Sequence, residues 1–385
     1  MPVMEHTISL ALLRHYSFAR QHVTPGAQAP EIGQVAQTLV GVHSARLQTP
    51  FVALHNRVVD FSVPRLRHEL HVARRFIKLR CMRKTLHTVP LALAPVVHQA
   101  TLGFRVAECD RLYRKLGLSP GQIRRLQDAV MLAVQGRERS SREIEIFVRG
   151  RCRLEKDVLT AAVRASIKEL WERGRLCYLN QSEHWGQEER YYADTGQHYA
   201  GLSLDSIEPE EAQRQLVRFY IDGYGPALEE DLCWWSGLSQ GVIRRCIAHL
   251  GSDAVRVRVD GLEGSFLMSR RGREAMLDSS LPREPWVRLL AYEDPSLKGY
   301  AASRARYVDV RHYSRLFNAI GEARASIVAD GEVVGCWTWD KKRQDVVLEC
   351  FNPLKGELPM LLVIARERLA QCLRGGPVQR VAHPV

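Results

Sequence analysis

An α+β chain, mainly α, is what these 385 residues predict, and two observations predict it. Three times in succession, apolar residues at helical spacing give way to a pair of alternating, arginine-bearing stretches; from Trp286 onward short alternating stretches dominate until a final amphipathic helix. Helices followed by a basic hairpin are the pattern of a winged helix, so the expected architecture is tandem winged-helix domains followed by a small C-terminal β-barrel with a closing helix. The expected boundaries are 1–118 for the first winged helix with a helical connector, 119–205 for the second, 206–283 for the third and 284–385 for the barrel.

In the first segment Ile8, Leu12, Leu13 and Tyr16 form one helical stripe and Ile32, Val35, Leu39 and Val42 another, separated by the breaker Thr24-Pro25-Gly26. A third helix is expected over Phe51–Val59, a short one near Pro64–His71, and a two-stranded element over Phe76–Thr88, before a connector helix from Leu91 to Leu116. The second segment opens at Ser119-Pro120-Gly121, caps its next helix with Ser140 and Ser141, and places Leu159, Val163, Ile167, Leu170 and Trp171 on the inner face of Lys156–Arg173. RGRLCYLNQ and ERYYADT then alternate as strands around the turn Ser182–Gln187. The third repeats the order with helices over Glu211–Tyr224, Leu228–Gly237 and Gly241–Leu250 and a hairpin turning at Asp260-Gly261. WVRLLAYED, RYVDV, ARASIVADGEVVGCWTWD and DVVLECF are the expected barrel strands, closed by the helix Pro359–Leu373.

A hydrophobic content of 45% suffices for several small cores, and the net charge of +12 favours a partner that carries phosphates. The nine cysteines are scattered and never spaced as C-x-x-C, which suits reduced thiols in the cytoplasm and argues against a zinc site or a disulfide framework. No apolar run approaches the roughly 20 residues of a membrane span. No P-loop, G-x-S-x-G or H-E-x-x-H appears either, so the commonest enzyme classes lack support. No metal or cofactor is expected, and without a coiled-coil or dimer helix the expected state is a monomer.

The stretch Leu39–Pro90 carries most of the functional signal. GVHSARLQTPFVALHNRV followed by MRKTLHTVP resembles the opening of the AlkZ/YcaQ family of winged-helix DNA glycosylases, whose members read approximately GLQAQ, an apolar helix, then MRGTLH. GYGPALEEDLCWWSGL, LLAYEDPSLKGY, FNAIGEARASIVADGEVVGCW and the C-terminal helix follow in the family's order, so the resemblance covers essentially the whole chain. It implies hydrolysis of the N-glycosidic bond of alkylated purines in duplex DNA without a cofactor, in repair or in self-resistance to a genotoxic natural product.

The same resemblance puts His43 on the first member of the family's catalytic Gln-x-Gln or Gln-x-Asp pair, near a helix end, and Ala45 on the second; Lys84 falls where MRGTLH has its glycine. Expelling a cationic N3- or N7-alkylated base needs little acid assistance; it needs a positioned water and stabilisation of charge on the sugar. An imidazole suits general-base work near neutrality, which makes His43 the candidate catalytic residue and Gln48, in the next turn, a candidate second water ligand. Arg46, Arg80, Arg83, Lys84 and His87 are candidate contacts to the DNA backbone, and the resemblance implies that the element from Asp294 to Tyr300 lies beside the DNA path, although Asp294 also fits an Asx-turn cap before Pro295. The bland alternatives are a backbone-bonded His43 and a solvated basic wing. A non-catalytic winged-helix DNA-binding protein or transcriptional regulator is the rival functional expectation.

Overall fold

The computed structural model describes residues 6–281 and 284–375. The chain divides into two compact units, Met1–Glu69 with Val217–Val385, and Leu70–Leu216. About half of it is helical.

In the first unit the opening stripe splits. Ile8 belongs to the strand His6–Ile8, and Ser9, whose Oγ accepts from Leu12 N–H, starts the helix Leu10–Arg20. An N-cap serine must itself be extended, so the residue before it is free to join a sheet. That strand runs parallel to Ala254–Val259, which pairs antiparallel with Phe266–Ser269. Ile8, Leu13, Tyr16, Val257, Phe266 and Met268 close a core around this three-stranded sheet. The expected tight turn at Asp260-Gly261 is instead a longer loop, with Gly261 and Gly264 at positive φ. The helices Glu229–Ser236 and Gln240–Leu250 fall where expected, one ended by Gly237 in the left-handed region and the other begun by Ser239.

The expected C-terminal barrel is an open sheet. Val287–Leu290, Ser326–Ala329, Glu332–Asp340 and Asp345–Cys350 pair antiparallel in linear order, and the helix Leu358–Leu373 packs against both outer strands. Four strands with one face covered by a helix bury their apolar side without curling closed. The fifth candidate, RYVDV, forms no strand. Its Arg306 and Tyr307 N–H groups close short helical turns onto Ser303 and Arg304 carbonyls, and the Arg306 guanidinium is drawn inward to Pro226 O at 2.6 Å and Ser17 Oγ at 2.8 Å. Just upstream, the buried Asp231 carboxylate accepts the N–H groups of Ala301, Ala302 and Ser303, and the Tyr307 carbonyl accepts from Val333 N–H at 2.7 Å, so the segment touches the sheet without pairing along it.

The second unit follows its sequence more closely. The hairpin Phe76–Arg80 with Leu86–Pro90 leads through the 22-residue helix Ala94–Lys115 to helices Pro120–Ala133, Ser141–Arg149 and Lys156–Glu172. Ser119 with Gln122 and Ser140 with Glu143 form reciprocal capping boxes that fix two of these starts. Leu126, Val130, Ile144, Val148, Leu159, Val163, Ile167 and Leu170 interlock, and the hairpin Leu176–Asn180 with Arg190–Asp194 adds Leu176 and Tyr192 to the same core. Trp171, expected inside, lies at the margin of that core, where it stacks on Tyr178 and donates to Lys78 O at 3.3 Å.

Candidate functional site

The segment from Val42 to Gln48 reaches its place because the helix Ile32–Thr38 stops abruptly. Val40 and Gly41 take φ of 54° and 90°, and their N–H groups bond back to Gln37 O at 3.1 Å and Ala36 O at 2.7 Å. These are the paired bonds of a Schellman ending. Periodicity carried the helix through Val42 and put His43 at its end; the structure makes Val42–His43 a two-residue strand instead. A β-branched residue in the left-handed region is strained, and burial holds Val40 there.

His43 and Ser44 are buried, whereas Ala45 and Arg46 are exposed and Gln48 is half-buried at the start of the helix Thr49–His55. The Arg46 guanidinium lies 3.3 Å above the Tyr292 ring, and Thr49 Oγ1 donates to Tyr292 O at 3.1 Å. The Tyr292 hydroxyl in turn donates to Glu322, which also accepts from Asn318 Nδ2 at 2.7 Å. Burial and the Glu322 carboxylate push the Tyr292 phenol up to about 12, and the Tyr292 hydrogen bond holds the Glu322 carboxyl below its ordinary value. Glu293, next in sequence, is committed elsewhere: it pairs with Lys298 at 3.0 Å and accepts from Ala323 N–H at 2.7 Å.

Asp294 and Tyr300, expected beside DNA, are interior groups in this conformation. Asp294 is 0% exposed and takes Arg57 in a two-pronged pair at 2.6 and 3.0 Å, while its Oδ1 caps Ser296 N–H, the Asx-type role. Arg57 is equally buried and spends its remaining donors on Gln21 O, Ala53 O and Ser296 Oγ. The Tyr300 hydroxyl donates to Tyr224 O at 2.8 Å and accepts from Gln21 Nε2.

The basic hairpin of the second unit sorts its cations in the same way. Arg80 turns inward, pairing with the buried Glu172 at 2.9 Å and donating from Nε to Lys84 O. Glu172 also binds Arg105 at 2.6 Å, and Arg105 donates to His98 Nδ1. His87 is buried too, its Nδ1 3.2 Å from Thr85 O and 3.4 Å from Cys81 Sγ. His87 therefore has structural surroundings rather than the exposed position expected of a phosphate contact, whereas Arg80 keeps a partly exposed side chain beside its pairing with Glu172. Arg83 and Lys84 sit at the hairpin tip, both half-exposed and both with positive φ, and Lys84 Nζ lies 3.8 Å from Glu108.

Residues 36–375 match the family described as DNA glycosylase AlkZ-like. The chain belongs to the AlkZ-like DNA glycosylase family. An interstrand DNA cross-link repair glycosylase of Streptomyces sahachiroi is 28% identical over 177 residues, an alignment that spans 45% of this chain and 45% of that protein. The structure of the S. sahachiroi DNA glycosylase AlkZ superposes with a TM-score of 0.77 at 21% identity, covering 96% of this chain and 98% of that one, so the two share a fold.

Within this AlkZ-like chain the first unit brings Arg46 and the 42–48 segment together with Tyr292 and Glu322, two residues that sequence reasoning passed over. The quoted motifs LLAYEDPSLKGY and FNAIGEARASIV contain them. Nothing in their spacing ties either motif to residue 46. Among the described residues no group of three or more His, Cys, Asp and Glu side chains is arranged to hold a metal, and no helix is long and apolar enough to cross a membrane.

Proposed function

We propose that this protein is a monofunctional DNA glycosylase that hydrolyses the N-glycosidic bond of N3- or N7-alkylated purines in duplex DNA, acting as a cytoplasmic monomer. The family match over residues 36–375 carries the reading, because it takes in the 42–48 segment and the basic hairpin alike. The repair role in the name of the S. sahachiroi relative supports a part in DNA repair, and self-resistance to a DNA-alkylating compound is one form of it.

In this reading His43 accepts a proton from the attacking water, Gln48 helps to hold that water, and Arg46, Arg83 and Lys84 contact phosphates. The three helix-and-hairpin segments act as winged helices on the duplex, with the domain boundaries given above. A net charge of +12 supports such a surface, since each phosphate contact strengthens binding by counterion release. A non-catalytic DNA-binding role is favoured by one observation: Ala45, exposed two residues after His43, has no side chain able to hold a water.

Base release from duplexes carrying small and bulky N7-alkylguanine, compared between wild type and His43→Ala, separates the two. Abasic sites formed by the wild type and lost in the variant, with DNA binding retained, are expected. Binding without release by the wild type refutes the glycosylase reading.

A further inference from the structure

Breaking an N-glycosidic bond sends its electron pair to the departing cationic purine and leaves C1′ with oxocarbenium-like positive charge until the water oxygen bonds to it. In the reading above, the proton from that water goes to His43. A fixed negative charge beside the sugar lowers the energy of such a transition state. The segment Val42–Gln48 contains no carboxylate; its one formal charge is the cation of Arg46.

Three carboxylates cluster where residues 292–294 and 318–322 approach this segment, and two of them are spent. Asp294 neutralises Arg57 in the interior and Glu293 neutralises Lys298. Glu322 differs. It is half-exposed, and its hydrogen-bond donors, the Tyr292 hydroxyl and the Asn318 amide, are uncharged, the cations of Lys298 and Arg46 acting on it as weaker electrostatic neighbours. Those two donors orient the carboxylate and leave it a net charge. Tyr292, which lies under Arg46 and accepts from Thr49 through its carbonyl, ties that carboxylate to the segment carrying His43.

We propose that Glu322, positioned by Tyr292 and Asn318, is the anionic group of this site and stabilises the cationic sugar during base release. The proposal rests on the glycosylase reading. Arg46 does not cancel the charge, because in that reading its guanidinium pairs with a backbone phosphate. Tyr292 and Asn318 are positioning residues, acting only through Glu322.

The test uses the full chain and two duplexes, one carrying a cationic pyrrolidine analogue of the abasic sugar and one the neutral tetrahydrofuran analogue. Wild type is expected to prefer the cationic duplex roughly tenfold or more, the scale of a hydrogen bond to a charged group. Glu322→Gln, which keeps an oxygen acceptor for Tyr292, is expected to level the two affinities without weakening binding to the neutral duplex; Glu322→Asp keeps part of the preference. Tyr292→Phe, which keeps the ring under Arg46 but frees the carboxylate, is expected to lower the preference by a smaller factor. In base release, Glu322→Gln is expected to reduce kcat by about 10²-fold, as removal of one electrostatic stabiliser does. No preference in the wild type, or a preference that Glu322→Gln leaves intact, overturns the proposal. A wild type that releases no base yet shows a preference removed by Glu322→Gln overturns the glycosylase reading while leaving the anionic site in place.

Discussion

Neutralising Asp294 separates a buried ion pair from a DNA contact, because the two roles move different measurements. Asp294 and Arg57 are both 0% exposed and joined by contacts of 2.6 and 3.0 Å. Asp294→Asn keeps the shape and an oxygen to cap Ser296 N–H, but it turns an amide N–H₂ toward one guanidinium nitrogen and leaves a buried cation without its counter-charge. Breaking such a pair from one side costs about 3–5 kcal/mol, and the retained oxygen argues for the lower end, about 3 kcal/mol. Taking a urea m-value of about 2–3 kcal/mol/M, the midpoint of the transition involving the first unit falls by about 1–1.5 M. Trp286 and Trp337, both buried in that unit, provide a fluorescence signal for it. Ser296→Ala removes only the 2.8 Å bond to Arg57 and is expected to cost about 1 kcal/mol, giving a graded series. An unchanged midpoint in Asp294→Asn accompanied by a loss of DNA affinity refutes this reasoning and returns Asp294 to the DNA surface.

Two further predictions concern the second unit. Burial, and then the charge of Arg105, lower the His98 pKa to about 3, so the unfolded chain takes up a proton below pH 6.5 that the folded unit refuses until about pH 3. The stability due to a neutral His98 is complete above pH 6.5 and is lost as pH falls through that window, by up to about 3 kcal/mol at pH 4; urea midpoints from pH 7.5 to 4 should show the slope, and His98→Gln should flatten it, whereas an unaltered slope in the variant counts against the assignment. At the hairpin tip Lys84 has φ of 59°, so Lys84→Gly is expected to be about 1 kcal/mol more stable than Lys84→Ala, both having lost the ammonium group. Equal midpoints contradict the strain, and an unchanged salt dependence of DNA binding in both variants contradicts a phosphate contact at Lys84.

Local rules were legible where residues close in sequence settle a question between themselves. Ser119 with Gln122 and Ser140 with Glu143 mark helix starts, Gly237 marks an end, and the alternation at Leu176–Asn180 and Arg190–Asp194 marks a hairpin. Each depends on hydrogen bonds or apolar spacing within a few residues. The same is true of the family signal, which lies in short motifs kept in order along the chain.

Tertiary structure decided the questions whose answers lie far away in sequence. The strand His6–Ile8 has a helical-looking stripe and becomes a strand because Ala254–Val259 offers it an edge. RYVDV alternates well but forms no strand, because its Arg306 and Tyr307 N–H groups close helical turns and the Arg306 side chain is held by Pro226 and Ser17, while its Tyr307 carbonyl accepts from Val333 N–H of the sheet. Asp294 and His87 look like surface contacts until Arg57 and the Cys81–Thr85 turn enclose them. Glu322 shows the converse: an unremarked acid in a weak motif becomes the charged partner of Tyr292 beneath Arg46, 276 positions earlier in the chain. Sequence order along a chain carries propensity, capping and net charge, whereas which charges are neutralised inside and which face a ligand depends on contacts that only the folded backbone brings together.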